Sequence, residues 1–233
     1  MPVRFEAPKG KFKNCSLVAG FHGIGETGYI AISYIVNALK AKRVGFIRTT
    51  NSPAFVTTTR NGLLTPFEIY RKRNLVMAKL EFPPHRNEES EIARVMASWA
   101  IEERFREALL LGGLDMGFKN GRYESRIVPT RAYPPEGMKL DIPVLEQGLY
   151  VYGPLAIMLT EFEANNFPAL AILPYADSSR SDPRAASIAV RTVAKLSRLN
   201  INVSDLENYA KVIEADLDQR TKIANKSVQG LYV

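Results

Sequence analysis

Short apolar segments of strand length alternate with longer segments of helical periodicity along most of this chain. Residues 15–19 form a buried-strand pattern that ends at Gly20, and residues 25–40 follow as a helix that is apolar on most sides. When strands and helices alternate, each helix crosses back over the sheet and neighbouring strands become parallel. We therefore predict an α/β fold, a three-layer α/β/α sandwich with a mostly parallel sheet.

The remaining elements follow from the same patterns and from helix start signals. Helices are predicted to begin near Asn87, which can act as an N-cap, at Pro154, and at the Asp182–Pro183 pair. Further predicted strands cover residues 44–47, 55–59, 67–70, 75–80, 108–111, 149–151 and 169–173, with a long excursion over 115–147. We expect an α/β core over residues 1–203, a C-terminal helix over 204–227, and a flexible C-terminal docking tail over 228–233.

Composition excludes several classes of function. The single cysteine cannot form an intramolecular disulfide, so we expect a reducing, cytoplasmic location, and with only two histidines we expect no metal site. No apolar run approaches the ~20 residues that span a bilayer, so we expect no membrane partner. The net charge is +7, but the basic residues are scattered along the sequence, and we therefore expect no nucleic-acid partner.

A glycine-rich turn follows the first long strand. Gly23, Gly25 and Gly28 match the G-x-G-x-x-G spacing that lets backbone approach a pyrophosphate at a helix N-terminus. However, Arg48 stands where an acidic residue is expected about 20 residues further on, and Glu26 adds negative charge to the site. We favour a tight strand-to-helix turn with close backbone packing, and keep a ligand-binding turn as the alternative.

Two other polar segments lie where open α/β sheets place ligands. His22 could act as a general base, but no nucleophile-elbow pattern accompanies it, and a histidine hydrogen-bonded to backbone is the favoured interpretation. Residues 177–183 follow a predicted strand and precede a helix. We interpret them as a polar loop that ends in a helix N-cap.

The last three residues are Leu231, Tyr232 and Val233, a hydrophobic–tyrosine–any-residue pattern. A mobile tail of this kind offers an aromatic ring, a hydroxyl and a terminal carboxylate, which a pocket with a lysine or a backbone nest can capture. In isolation the pattern is common enough that a frayed end remains the alternative.

Two segments in this order resemble the proteasome assembly chaperone family, in particular the archaeal homologues of the eukaryotic proteasome assembly chaperone two. The first is the run Leu17–Gly28. The second extends from Gly153–Pro154–Leu155, through residues 167–173, to Asp182–Pro183 and the three residues that follow. The resemblance spans about residues 14–215 and implies a fold similar to nucleoside phosphorylases, with no enzymatic activity and no cofactor.

The resemblance also implies a function for the tail. Members of this group dock similar tails into pockets between adjacent α-subunits of the 20S proteasome. Val233 would then pair through its carboxylate with a pocket lysine, while Leu231 and Tyr232 would fill the apolar part. We therefore expect a homo-oligomeric proteasome assembly chaperone or activator. The alternative is a phosphorylase-like or nucleotide-binding enzyme that uses Gly23, Gly25 and Gly28.

Overall fold

The central sheet is mixed, with parallel strands at its centre and antiparallel strands at its edges. The computed structural model describes residues 2–59, 62–134 and 140–210. In chain order the strands are β1 (Arg4–Glu6), β2 (Ser16–Gly20), β3 (Lys42–Arg48), β4 (Thr57–Thr59), β5 (Gly62–Leu64), β6 (Phe67–Lys72), β7 (Leu75–Leu80), β8 (Glu107–Leu111), β9 (Leu114–Asp115), β10 (Ser125–Pro129) and β11 (Ala169–Ala176). The main sheet has the order β1-β3-β6-β7-β2-β8-β11-β10, and β9 pairs with β11.

Connection length explains which neighbours are parallel. The four central strands β7, β2, β8 and β11 run parallel, as the alternating pattern predicts. The outer pairs β1–β3, β3–β6, β6–β7 and β10–β11 are antiparallel. Only Arg73 and Asn74 separate β6 from β7, and so short a connection cannot carry the crossover that a parallel pair requires.

Helices cover both faces of this sheet, so the predicted three-layer α/β/α architecture is confirmed. They are α1 (Thr27–Ala38), α2 (Arg86–Glu102), α3 (Pro154–Ala164) and α4 (Pro183–Ser197). Residues of α2 and α3 share one core with one sheet face, and residues of α1 and α4 share a second core with the other. A further helix begins at residue 204 and is described as far as residue 210.

Strand β2 shows how the sequence divides between the two cores. Leu17 and Ala19 belong to the core beneath α2 and α3, whereas Val18 belongs to the core beneath α1 and α4. Successive side chains point to opposite faces of a strand, and both faces of a central parallel strand are covered. This is why residues 16–20 are all buried and read as one continuous apolar run.

One buried ion pair fastens the antiparallel edge. Glu68 on β6 is 1% exposed and accepts hydrogen bonds from Tyr70, from Thr65 and from Arg43. Burial by itself would raise the pKa of Glu68, but these hydrogen bonds outweigh it and lower that pKa. The carboxylate is therefore ionised and paired in the folded chain.

Two local predictions are wrong. The N-cap of α2 is His85, whose side chain accepts a hydrogen bond from the Asn87 backbone N–H, so Asn87 itself lies inside the helix. Residues 149–151 form no strand; they lead in irregular conformation to Gly153, after which Pro154 starts α3 as predicted. Within the described ranges, no helix is long and apolar enough to cross a membrane.

Candidate functional site

The glycine-rich turn lies at the carboxyl ends of the parallel strands. It begins where β2 ends, passes through a 3-10 turn at Ile24–Glu26, and enters α1 at Thr27. Gly25 has φ of +61°, a left-handed conformation that favours glycine. In open α/β sheets this end of the strands is where ligands bind, so the surroundings of each glycine decide between the two interpretations of the turn.

Gly28 is required by backbone packing. A Cβ atom at this position would lie 2.4 Å from the Leu111 carbonyl oxygen and 2.8 Å from the Phe21 nitrogen. At Gly20, a Cβ would lie 2.6 Å from the carbonyl oxygen of Gly28. Because these neighbours are backbone atoms of adjoining elements, they cannot yield as a flexible side chain would. Both glycines therefore let α1 approach the ends of β2 and β8.

Gly25 is enclosed by the loop before α4. Its carbonyl oxygen accepts a hydrogen bond from the Asp182 backbone N–H, with an N···O distance of 2.8 Å. A Cβ atom at Gly25 would lie 2.8 Å from the Cβ of Ala176 and 3.0 Å from the Cβ of Asp182. By contrast, a Cβ at Gly23 would meet nothing within 4 Å.

An acidic residue stands at the start of α1, and its side chain makes no capping hydrogen bond to the helix. Glu26 is the N-cap residue of α1, and its carboxylate accepts a hydrogen bond from the Ser181 hydroxyl and lies 3.7 Å from His22 Nδ1. A phosphate at this helix end would meet the negative charge of Glu26, although the end itself attracts anions. The arrangement favours the closely packed turn over a phosphate cradle.

His22 is hydrogen-bonded to backbone, as predicted. Its Nε2 lies 3.0 Å from the Leu80 carbonyl oxygen, and its ring stacks on Tyr29 with centroids 4.1 Å apart. Tyr29 donates a hydrogen bond to Glu81, which also pairs with Lys79. Burial, with Glu81 as the second cause, raises the pKa of Tyr29. The histidine thus links the ends of β2 and β7 through fixed contacts.

The loop at residues 177–183 ends in the predicted N-cap. Asp182 Oδ1 accepts from the Ala185 N–H at 2.9 Å, and its Oδ2 accepts from the Asp177 N–H at 3.0 Å. The Asp177 carboxylate binds Ser179 and Arg180, and hydrogen bonds from the Ser179 side chain and backbone lower its pKa. A cleft of about 370 Å³ beside this loop mixes acidic and basic side chains, which gives it no single ligand preference.

Sequence reasoning singled out the turn and the loop separately and missed their contact. Ser181 meets Glu26, and Asp182 meets Gly25, across more than 150 positions of the chain. The available signal was that both segments follow parallel strands at the same end of the sheet. Within residues 2–59, 62–134 and 140–210, no group of three or more His, Cys, Asp or Glu side chains could hold a metal ion.

The predicted docking residues Leu231, Tyr232 and Val233 lie outside the described residues, as does the predicted helix beyond residue 210. What is described is the start of that helix. Val203 and Leu206 are buried in the α1–α4 core, and Ala210 is also buried. The Tyr34 hydroxyl donates to the Asn202 carbonyl oxygen at 2.6 Å, and Arg191 pairs with Glu207. The described start of the C-terminal helix is therefore fixed on the α1–α4 layer.

The fold is a three-layer α/β/α sandwich. Its glycine-rich turn is closely packed rather than open as a cofactor cradle, and the start of its C-terminal helix packs on the α1–α4 layer. The sequence profile of the PAC2 family matches residues 17–221. The chain belongs to the PAC2 family.

Solved structures share this fold along nearly their whole length. Pyrococcus furiosus PbaA, an archaeal homologue of proteasome-assembly chaperone, is 22% identical with a TM-score of 0.81, covering 97% of this chain and 99% of PbaA. Pyrococcus furiosus PbaB, an archaeal proteasome activator, is 18% identical with a TM-score of 0.75, covering 94% of this chain and 99% of PbaB. An uncharacterised protein from Methanocaldococcus jannaschii is 22% identical over 226 residues, which cover 95% of this chain and 93% of that protein.

Proposed function

We propose that this chain is a cytoplasmic proteasome assembly chaperone or activator that binds the α-subunits of the 20S proteasome through Leu231, Tyr232 and Val233. The observation that carries the proposal is its membership of the PAC2 family over residues 17–221, together with the fold shared with PbaA and PbaB. The terminal hydrophobic–tyrosine–any-residue pattern is a second, independent signal, because it lies beyond the matched segment.

The proposed contact has a simple chemistry. Leu231 and the ring of Tyr232 bury apolar surface, and the Tyr232 hydroxyl requires a hydrogen-bond partner. Val233 must carry a free carboxylate, which a lysine or a backbone nest of the partner binds. A contact of three residues is weak, so we propose that the chain acts as a homo-oligomer. Several tails on one ring raise the avidity by about 10²–10⁴ over a single tail.

The alternative of a phosphorylase-like or nucleotide-binding enzyme is disfavoured. Gly25 contacts the Asp182 backbone, and Glu26, the N-cap residue of α1, carries a negative charge, so an incoming phosphate would meet a closed turn and a like charge. We therefore propose no catalytic activity. Calorimetric titration with phosphate, nucleosides and NADP should give no binding heat, and saturable heat that is lost in a Gly23 variant would favour the enzyme instead.

The experiment for the proposed function is peptidase stimulation of purified archaeal 20S proteasome, combined with complex formation on native gels. We expect the full chain to form a complex, with or without stimulation, and deletion of residues 231–233 to abolish it. Tyr232→Ala should reproduce most of the loss. Tyr209→Ala is the matched control, because Tyr209 is 61% exposed on the described start of the same C-terminal helix.

A second variant isolates the terminal carboxylate. One glycine added after Val233 keeps every side chain of the motif but moves the carboxylate by one residue, and it should abolish binding as deletion does. If the deleted or extended chain binds the 20S proteasome as tightly as the full chain, the proposed docking mechanism is wrong.

A further inference from the structure

The fold gathers cations that are far apart in the sequence. We define the basal rim as residues 9–14, 40–42, 71–74, 102–107 and 195–198, which carry twelve Lys or Arg residues and three Glu residues. This excess of positive charge is larger than the net +7 of the whole chain, so the remaining residues are net acidic. Basic residues that are scattered along the sequence are therefore brought together on one surface of the folded chain.

Direct contacts join the rim segments into one surface. Lys42 on β3 lies opposite Arg71 on β6 in the backbone pairing of these two strands. The Arg71 guanidinium donates a hydrogen bond to the Lys11 carbonyl oxygen at 2.8 Å. The Asn14 N–H donates to the carbonyl oxygen of Arg104 at 3.2 Å. A groove of about 700 Å³ connects Asn74 and Arg106 with residues 195–198. The rim therefore surrounds the amino ends of the parallel strands β2, β7 and β8.

Two of the three rim acids, Glu103 and Glu107, are half-buried and hydrogen-bonded, and Glu102 is exposed, whereas most of the cations are exposed. Glu107 binds Arg106 and the Ser16 hydroxyl, and Glu103 accepts a hydrogen bond from the Gly10 N–H. Ten of the cations are exposed and two are half-buried. The exposed ones are Lys9, Lys11, Lys13, Lys40, Lys42, Arg73, Arg104, Arg106, Lys195 and Arg198.

Compensation of helix dipoles explains only part of this charge. The helices α1, α2 and α4 all end at the rim, and a helix carboxyl end carries about half a negative charge. Three such ends amount to less than two charges, far below the excess on the rim. Exposed like charges also repel each other and destabilise the compact state. A concentration of this size therefore indicates a surface that meets negative charge elsewhere.

The form of the rim favours an acidic protein surface over a nucleic acid. Its aromatic rings, Phe12 and Phe105, and the neighbouring Tyr133 are buried, so they offer no platform for stacking bases. Exposed lysines and arginines spread over five segments instead suit carboxylates spread over a broad surface.

The C-terminal helix begins next to this surface. The last rim segment, residues 195–198, is followed within six residues by the start of that helix at residue 204. We infer that the basal rim is a second contact surface, which docks on a carboxylate-rich protein surface of the 20S partner. This inference rests on the proposed function, because it assigns a second surface to the same partner.

Charge reversal of the rim tests the inference. The rim variant Lys11→Glu, Lys13→Glu, Lys42→Glu reverses three exposed cations. The control variant Arg86→Glu, Lys119→Glu, Arg122→Glu makes the same charge change at exposed positions near the carboxyl ends of the strands. Affinity for archaeal 20S proteasome is measured at about 50 mM and about 300 mM NaCl, because salt screens exposed charges over these concentrations. Thermal melting verifies that both variants are folded.

We expect the rim variant to bind at least about tenfold more weakly than the control at low salt, and the difference to shrink at high salt. Equal affinities of the rim and control variants would overturn the inference while leaving tail docking intact. Absence of binding by the full chain at either salt concentration would overturn the proposed function and the rim inference together. If the chain binds duplex DNA more tightly than the 20S proteasome at the higher salt, and the rim variant loses that binding, the rim is a nucleic-acid surface and the rim inference is overturned.

Discussion

Gly28→Ala should destabilise this protein although alanine is the better helix former. Gly28 lies in the first turn of α1, where helix propensity by itself predicts a gain of about 1 kcal/mol at most. The added Cβ would lie 2.4 Å from the Leu111 carbonyl oxygen and 2.8 Å from the Phe21 nitrogen. Contacts under 3.0 Å essentially never occur for real Cβ atoms, so the helix or the sheet must move.

The magnitude follows from what would have to move. Overpacking usually costs about 1–3 kcal/mol when side chains can adjust. Here the contacted atoms belong to the backbone at the ends of β2 and β8, which carry the sheet pairing, so the upper part of that range applies. After the propensity gain is subtracted, we expect a net loss of about 2 kcal/mol in the free energy of unfolding.

Urea unfolding followed by circular dichroism measures this loss through the transition midpoint at constant slope. The matched control is Gly23→Ala, whose Cβ would meet nothing within 4 Å and which should change stability by less than about 0.5 kcal/mol. A Gly28→Ala variant as stable as the unsubstituted chain would refute the packing argument. A large loss in Gly23→Ala with none in Gly28→Ala would reverse the roles assigned to these glycines.

Two further substitutions test the contacts around this framework. Glu68→Gln should cost about 1–3 kcal/mol at neutral pH, because Arg43 loses its ionised partner. Since folding lowers the pKa of Glu68, its contribution is present above the ordinary value of 4.5 and disappears as the pH falls through the lowered pKa. The variant's deficit should therefore shrink in acid, and a pH-independent deficit would contradict the assignment. Asp182→Ala should lower the free energy of unfolding by about 1–2 kcal/mol, because it removes the cap of α4. Asp182→Asn keeps an acceptor for the Ala185 N–H and should lower it by less. Equal losses of the two variants in urea unfolding would exclude the capping role.

Local signals in the sequence predicted the elements that local physics determines. The apolar run at residues 15–19 predicted a buried strand, and β2 is buried throughout because both of its faces are covered. Asp182 and Pro183 predicted the start of α4 because a side-chain acceptor and a fixed φ suit the first turn of any helix. His85 was missed as the cap of α2 because a histidine is an unusual acceptor at this position, and Asn87 presented the more familiar signal.

Features that depend on pairing across long distances were not predictable in the same way. The three residues of β1 carry no strand pattern of their own and are ordered by pairing with β3. The contact of Ser181 with Glu26 depends on which strands are neighbours, and so does the basal rim. The terminal motif can be recognised in the sequence, but its proposed function depends on a pocket in another protein.

The most direct test of the account is the affinity of purified full-length chain for archaeal 20S proteasome, compared with the chain that lacks Leu231, Tyr232 and Val233. Sedimentation of labelled protein measures both affinities in the same buffer and also reports the oligomeric state. We predict saturable binding by the full chain. The truncated chain should bind at least a hundredfold more weakly with an unchanged oligomer, since the avidity of several tails is lost together (~10²-fold or more). Equal binding by the two chains, or no binding by the full chain, would contradict it.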